Sequence, residues 1–331
     1  MEKPYILAYG RVSEEALKKL GHEYETVYFA NGENLENERF RAVLQQAQAI
    51  VGVELEVNEE LLDHAPELKV VSNVAVGYDN LNVTALSKRG IAACHTPGVL
   101  NDTVADAVFG MVLASARRIP EMDRFVKEKK WNGVMPDEKF GVDVHHKKIG
   151  IIGMGRIGEA IAKRAALGFD MEVLYHTRSR KEKAEDEYGA VYQELPDLLE
   201  QSDFVVLMTP LTPDTEGLMG TEEFRRMKAG SIFINASRGA VVDEEALVHA
   251  LRSGEIRGAA LDVFQQEPIQ PDHPFLTMEQ VITLPHLGSA TTENENNMSL
   301  LAADNALQVL KGQKPAYMIN QEIWKGRNKH E

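Results

Sequence analysis

The segment KIGIIGMGRIGEAIAKRAALG, residues 148–168, constrains the fold more than any other. Apolar residues crowd its start, Gly153, Gly155 and Gly158 follow in GxGxxG spacing, and an amphipathic run closes it. That order predicts a buried strand, a tight turn and a helix. Each glycine has a steric reason: the first permits the turn, the second lets main-chain amides approach a pyrophosphate, and the third lets helix pack on strand. The amino end of the helix, near Arg156, would offer unpaired amides and a positive dipole end to that anion. Gly153, Met154, Gly155, Arg156, Ile157 and Gly158 are therefore read as the phosphate turn of a dinucleotide site. A glycine turn that binds nothing is the plainer alternative; the strand before, the helix after and the strand beyond speak against it.

The rest of the chain repeats the same alternation. In the first hundred residues YILAY, AIVGV, LKVVSNVAVG and IAACHT read as buried strands, with helical spacing in EEALKKLG, NERFRAVLQQ, NEELLDHAP and NVTALSKRG. From Lys147 onward six strands are predicted: KIGIIGMG, MEVLYHT, DFVVLMTP, GSIFINAS, IRGAALDVF and QVITLPHLG. Helices are predicted at 156–167, 195–201, 221–228, 243–252 and 291–310, with Asp243 as an N-cap. Alternation of this kind implies parallel strands covered by helices on both faces. Between the two series lies NDTVADAVFGMVLASARRIPEMDRFVKEKKW, a helical stretch interrupted by Pro120 and apolar on more than one side. Such a helix is buried between domains or between subunits. The final YMINQEIWKGRNKHE carries Ile323 and Trp324, which are expected to pack on the first domain before the tail frays.

Composition narrows the function classes. A chain of 331 residues with 44% apolar content can build two cores, and a net charge of −15 argues against a nucleic-acid partner. The single Cys94 excludes an intrachain disulfide framework and a cysteine cluster for zinc, and no metal site is expected. No signal peptide is expected from the opening MEKPYILAYG, and no apolar run approaches the ~20 residues of a membrane span. A soluble, cytoplasmic protein without membrane association is expected.

About 20 residues past such glycines an acidic residue normally accepts hydrogen bonds from the adenosine ribose. In VLYHTRSRK that place holds His176, Thr177, Arg178, Ser179 and Arg180. A ribose hydroxyl wants an acceptor, whereas a 2′-phosphate repels one. Arg178 can grip a phosphate with its fork, Ser179 and Thr177 can add donors, and Arg180, Lys181 and Lys183 raise the local potential. The alternative is a solvated helix start. The combination of missing acid and added base points to NADP(H) as preferred cofactor, with NAD(H) tolerated.

Three later segments carry candidate chemistry. INASRGAVVDEEAL places Arg238 just past a strand, LDVFQQEP places Glu267 in the next loop, and TLPHLGSAT places His286 at the end of the strand after that. Ligands in open α/β sheets bind at the carboxyl ends of strands, so all three are expected to line one cleft.

With these residues in place, the sequence resembles the D-isomer-specific 2-hydroxyacid dehydrogenases over nearly its whole length. The match rests on VAVGYDNLNVTAL, TPGVLNDTVAD, GMGRIG, TPLTPDTEGLM, INASRGAVVDE, AALDVFQQEP and LPHLGSAT, in that order. Within that family it looks most like glyoxylate, hydroxypyruvate and 2-ketogluconate reductases. The resemblance implies reversible hydride transfer between the dinucleotide and a small 2-oxo or 2-hydroxy acid. It implies that Arg238 binds the substrate carboxylate, His286 exchanges the proton, and Glu267 holds the other imidazole nitrogen. Val76 and Gly77 would present amides to the carboxylate, with Leu100 on the apolar wall. Asp262 and Gly288 would meet the nicotinamide carboxamide, while Thr103, Pro210, Thr215, Ala236 and Ser237 would line the cofactor groove along with Arg238 and His286. The implied fold is α/β with two Rossmann-like domains of doubly wound parallel sheet. A flavodoxin-like substrate domain would comprise 1–100 and 291–331, and a dinucleotide-binding domain would be inserted at 101–290. A homodimer is also implied.

Two departures stand out. Some relatives carry two tryptophans after the long helix, whereas KKWNGVMPDEKFG supplies Trp131 alone, with Val134 and Met135 where the second would fall. Asn101 stands where Thr or Ser is frequent. His95, His145 and His146 lack a second ligand at metal spacing and are read as structural or exposed. The competing readings are a dinucleotide-dependent sensor resembling transcriptional corepressors, and related phosphoglycerate or phosphite dehydrogenases.

Overall fold

The computed structural model describes residues 4–327. Residues 1–3, at the start of the segment read as lacking a signal peptide, and 328–331, where the tail is expected to fray, lie outside the described residues. The chain divides into two compact units, Met1–Leu100 with Thr291–Glu331, and Asn101–Ala290.

The first unit is a five-stranded parallel sheet: β1 (Tyr5–Tyr9), β2 (Glu25–Phe29), β3 (Ala47–Gly52), β4 (Val70–Asn73) and β5 (Ala92–Cys94). The spatial order β2-β1-β3-β4-β5 is flavodoxin-like. Central strands are buried along almost their whole length, as strands covered by helices on both faces are. The edge strand β2, absent from the sequence expectation, is ETVYF with a half-exposed pattern. An edge strand faces water and so need not carry the apolar run that marks a buried one. The helix Thr292–Leu310 packs on β3, β4 and β5, and Ser72 Oγ donates to Ala302 O at 2.8 Å. Beyond it the chain runs antiparallel to β5, with a bridge from Met318 to Cys94 and the Asn320 side chain bonded to Ala93 N and Ile91 O. Trp324 is buried there.

The second unit is a seven-stranded parallel sheet. Its strands are β6 (Lys148–Ile152), β7 (Glu172–His176), β8 (Val191–Tyr192), β9 (Phe204–Leu207), β10 (Ile232–Asn235), β11 (Gly258–Leu261) and β12 (Val281–Thr283). The order β12-β11-β10-β9-β6-β7-β8 reverses direction at β6, the switch point where a doubly wound sheet holds its ligand. Six strands match the expectation in place; the seventh, β8, is a two-residue edge strand too short to show a pattern. A further helix, Glu182–Tyr188, starts inside the basic run. The long helical stretch divides into Asn101–Ala116 and Ile119–Lys127, broken at Arg118, whose φ is +53°. Pro120 sits in the first turn of the second helix, where its missing N–H costs nothing. The first helix packs within this unit on Arg156–Phe169, with the Phe109 and Phe169 rings stacked at 5.1 Å.

Among the described residues no helix is long and apolar enough to cross a membrane.

Candidate active site

The glycine turn follows β6, and its backbone explains the residue types. Gly153 has φ +105°, and a Cβ there would lie 2.6 Å from Met208 O. A Cβ on Gly158 would run into Gly153 O, whereas one on Gly155 would meet nothing within 4 Å. Gly155 caps the helix Arg156–Phe169 from an extended conformation, and no side chain caps that helix. Its first N–H groups are thus left for an acceptor, and the space above Gly155 is open: the features a pyrophosphate requires. The residues present therefore fit a dinucleotide. Met154 is buried, so only its main chain faces the turn.

The basic run after β7 is less basic than it reads. Arg180 forks onto Glu185 (Nε–Oε1 3.0 Å, Nη2–Oε2 2.8 Å), and Lys183 pairs with Glu159 at 3.7 Å. Tyr175 Oη also donates to Glu185, and Lys181 N donates to Tyr175 Oη at 2.8 Å. Between 178 and 187 four basic residues face four acidic ones, so the expected rise in local potential is cancelled by the helix that follows. Arg178 is exposed, and among the described residues its guanidinium forms no ion pair or hydrogen bond. His176 gives its Nδ1 proton to Gln193 O at 2.9 Å, because a carbonyl can only accept.

Past β9, the Thr215 hydroxyl donates to Pro210 O (2.6 Å) and accepts from Thr212 N (2.8 Å), closing the loop on itself. The neighbouring Thr209 hydroxyl is buried without a hydrogen-bond partner, a candidate that sequence reading missed. Past β10, the buried Asn235 shapes the next turn: its Oδ1 accepts from Ser237 N (3.0 Å) and Oγ (2.9 Å), and its Nδ2 donates to Arg238 O (3.1 Å). The signal was a polar residue ending the apolar run IFIN. Ala236 is half-buried in that turn, and Thr103 is half-buried on the helix Asn101–Ala116.

Arg238, Glu267 and His286 all belong to this unit. A Cβ on Gly239 would collide with the Phe264 main chain, so only glycine lets the loop of Arg238 touch the loop of Glu267. Glu267 Oε1 accepts from Phe264 N at 3.0 Å, and Oε2 lies 2.7 Å from His286 Nδ1. Burial opposes ionisation of Glu267, but hydrogen bonds from His286 and Phe264 N and the charges of His286 and Arg238 outweigh it, lowering its pKa. His286 follows Pro285 with φ +53°, a left-handed conformation that non-glycine residues seldom adopt. Two anchors hold it there: His286 N donates to Asp262 O at 2.9 Å, and the Asp262 carboxylate accepts from Leu287 N (2.7 Å) and Gly288 N (2.8 Å). Asp262 is 2% exposed, and burial raises its pKa against those two hydrogen bonds. Both carboxylate oxygens of Asp262 and the N–H of Gly288 thus hold the His286 loop. With Nδ1 committed to Glu267, Nε2 is the nitrogen left for a substrate.

In the first unit Val76 and Gly77 form the turn after β4. Their N–H groups donate no hydrogen bond among the described residues. Leu100 is buried at the end of that unit's first segment.

A model of the D-isomer specific 2-hydroxyacid dehydrogenase family, NAD binding domain, matches residues 109–288. The chain is 43% identical over 321 residues to glyoxylate/hydroxypyruvate reductase B of Escherichia coli K12, covering 97% of this chain and 99% of the relative. Its fold matches the crystal structure of a protein from Thermus thermophilus with TM-score 0.88 and 36% identity, over 95% of this chain and 99% of that one. It also matches the NADPH-dependent glyoxylate/hydroxypyruvate reductase of Sinorhizobium meliloti, solved with NADP and malonate, with TM-score 0.85 and 31% identity over 96% and 97% of the two chains. Family match, two-unit fold and the site's geometry agree, and the chain belongs to the D-isomer specific 2-hydroxyacid dehydrogenase family.

Proposed function

We propose that the protein is an NADPH-preferring reductase of small 2-oxo acids, with glyoxylate and hydroxypyruvate as substrates and 2-ketogluconate as a third to test. The observation that carries this reading is the 2.7 Å pair of Glu267 and His286, which leaves Nε2 of the imidazole to serve a carbonyl oxygen. NADPH, when bound, supplies the hydride that adds to the substrate's carbonyl carbon. His286 gives the Nε2 proton to the oxygen that becomes the hydroxyl, and takes it back in oxidation. Glu267 stabilises the imidazolium and fixes the ring. Arg238 holds the substrate carboxylate with its guanidinium, and the amides of Val76 and Gly77 receive the same group. The first unit is the substrate domain in this reading, and the second is the cofactor domain.

Arg178 is the group assigned to the 2′-phosphate, and the free Thr177 and Ser179 hydroxyls support tolerance of NADH. The names of the relatives, glyoxylate/hydroxypyruvate reductase B among them, support the choice of acids. A cytoplasmic homodimer is part of the same reading. Exposed apolar side chains at Ile119, Trp131, Val134 and Phe140 on the second unit support a partner copy, which a mass measurement in solution tests.

The deciding experiment measures kcat/KM with NADPH and with NADH on the three acids. Turnover favouring NADPH is expected, and His286→Ala is expected to abolish it while NADPH affinity stays within about threefold. Dinucleotide binding without turnover on any acid would overturn the reading.

A further inference from the structure

The turn after β4 is held by its carbonyls. Ala75 O accepts from Thr96 N at 2.9 Å, Val76 O from His95 Nδ1 at 2.9 Å, and Gly77 O from the buried Asn73 Nδ2 at 2.8 Å. These peptides are trans, so each carbonyl points opposite to the N–H of the same peptide group. The N–H belonging to the Ala75 carbonyl is that of Val76, and the one belonging to the Val76 carbonyl is that of Gly77. Both amides assigned to the substrate carboxylate are therefore aimed by donors at the exit of β5. A peptide whose carbonyl accepts a hydrogen bond is polarised and becomes a better N–H donor.

Only one of those donors is a side chain that can be changed without touching the paired amides of Asn73 and Asn80. His95 is half-buried, and its main chain is fixed on both sides: its N donates to Tyr317 O at 3.2 Å, and its O accepts from Asn305 Nδ2 at 3.1 Å. The Tyr78 ring meets the imidazole edge to face at 5.7 Å. Because a carbonyl cannot donate, Nδ1 carries the proton in either charge state of the ring. The sequence reading left this histidine as structural, and nothing in its spacing indicated otherwise.

We propose that His95 is a positioning residue for the substrate carboxylate: its Nδ1–H, seated on Val76 O, orients and polarises the peptide whose Gly77 N–H receives that carboxylate. The proposal rests on the functional reading above, and the test separates the two. His95→Phe keeps a ring against Tyr78 but has no donor, while His95→Asn restores a donor at a similar reach. KM and kcat for hydroxypyruvate at saturating NADPH, the Kd of the non-reducible carboxylate oxamate in the presence of cofactor, the Kd of NADPH and Tm are measured for both.

His95→Phe is expected to raise KM and the oxamate Kd together by about tenfold, as loss of a donor aligned with a charged ligand should. The kcat and the NADPH Kd should stay within about twofold, and His95→Asn should recover most of the loss. An unmoved KM and oxamate Kd in His95→Phe at full wild-type turnover would sink the proposal alone. So would a loss shared equally by NADPH binding and kcat. Wild-type protein that neither reduces hydroxypyruvate nor binds oxamate would remove the functional reading and this proposal with it. Should His95→Phe lose its cooperative melt, His95→Ala with and without added imidazole carries the same comparison, and absence of rescue would count against the role.

Discussion

Glu267 holds His286 through one carboxylate oxygen and the Phe264 amide through the other, so its charge and its geometry are tied together. Glu267→Gln keeps the shape and removes the charge. Without the anion the imidazolium is less favoured, so the limb of the reduction profile on which activity falls as His286 deprotonates should move to lower pH. The kcat should fall by about tenfold or more, as removal of an acid–base partner commonly does. An unmoved limb in kcat/KM against pH would take Glu267 out of the proton path. Stability follows the same pair with a definite sign. The folded Glu267 carboxyl titrates below its usual 4.5, so the pair's stabilisation is present above that pH and disappears as pH falls through the lowered value. The cofactor's phosphate is a second residue-scale question, and here structure sharpened the sequence. Arg178 was read as the phosphate grip and Arg180, Lys181 and Lys183 as raising the potential around it, but Arg180 is spent on Glu185 and Lys183 on Glu159. Arg178→Ala should therefore weaken NADPH by about 10- to 100-fold and NADH by less than threefold, the worth of a charge-assisted contact. Arg180→Ala should change neither much and should lower Tm instead. Equal losses for both cofactors in Arg178→Ala, read from Kd titrations, would make the run a mere surface. The candidates Arg238, Glu267 and His286 could be picked out in the sequence because each lies in the segment that follows a predicted strand. Asn235 and His95 could not, because what they do depends on which carbonyl or amide lies across the turn, and Thr209 could not, because only the fold shows its hydroxyl buried.

The legible elements were those with buried strands and capped helices. Asp243 accepts from Ala246 N at 3.1 Å as expected, and Thr291 caps its helix the same way. The missed elements share a physical cause. The edge strands β2 and β8 lie where one side is open to water, and the helix Glu182–Tyr188 is too polar to show an apolar stripe. Neither pattern can mark an element whose stability comes from its neighbours. Glycines show how far the element scale decides function. A Cβ at Gly155 meets no protein atom, and the residue sits at φ −89°, open to any side chain. Gly155→Ala should therefore melt like the wild type yet weaken NADPH by about tenfold, because only the ligand occupies the space. Gly239→Ala is the opposite case. Its Cβ would press on the Phe264 main chain, which no side-chain rotation can relieve, at a cost of about 1–3 kcal/mol. Since that contact joins the loops of Arg238 and Glu267, kcat/KM should drop by about tenfold while NADPH affinity stays near wild type. Thermal melts and NADPH titrations of the two variants check the pair. If Gly155→Ala lost stability and kept its cofactor, the assignment of the turn would fail.

At the scale of the whole molecule the two units differ in how their sequence is laid out. Each holds a hydrophobic cluster of its own: one runs from Ile152 to Val281, and another from Leu7 to Ala93. The second unit, Asn101–Ala290, is a single continuous segment. The first is discontinuous, and the helix Thr292–Leu310 lies on β3, β4 and β5 with Met298, Ala302, Ala303, Ala306, Leu307 and Val309 buried. Burying a Met, Leu or Val side chain is worth about 2 kcal/mol, so three of them amount to a large part of the ~5–15 kcal/mol that holds a domain together. The helix that covers the Ser72 hydroxyl also supplies its acceptor, Ala302 O. A fragment of residues 101–290 is therefore expected to melt cooperatively and bind NADPH on its own. A fragment of residues 1–100 is expected to stay unfolded, and joining it through a short Gly/Ser linker to 291–327 should restore a cooperative transition. Circular dichroism melts of the three fragments, with NADPH titration of the first, decide the matter. A cooperatively folding 1–100 would mean that the returning helix covers the sheet without being needed to form it.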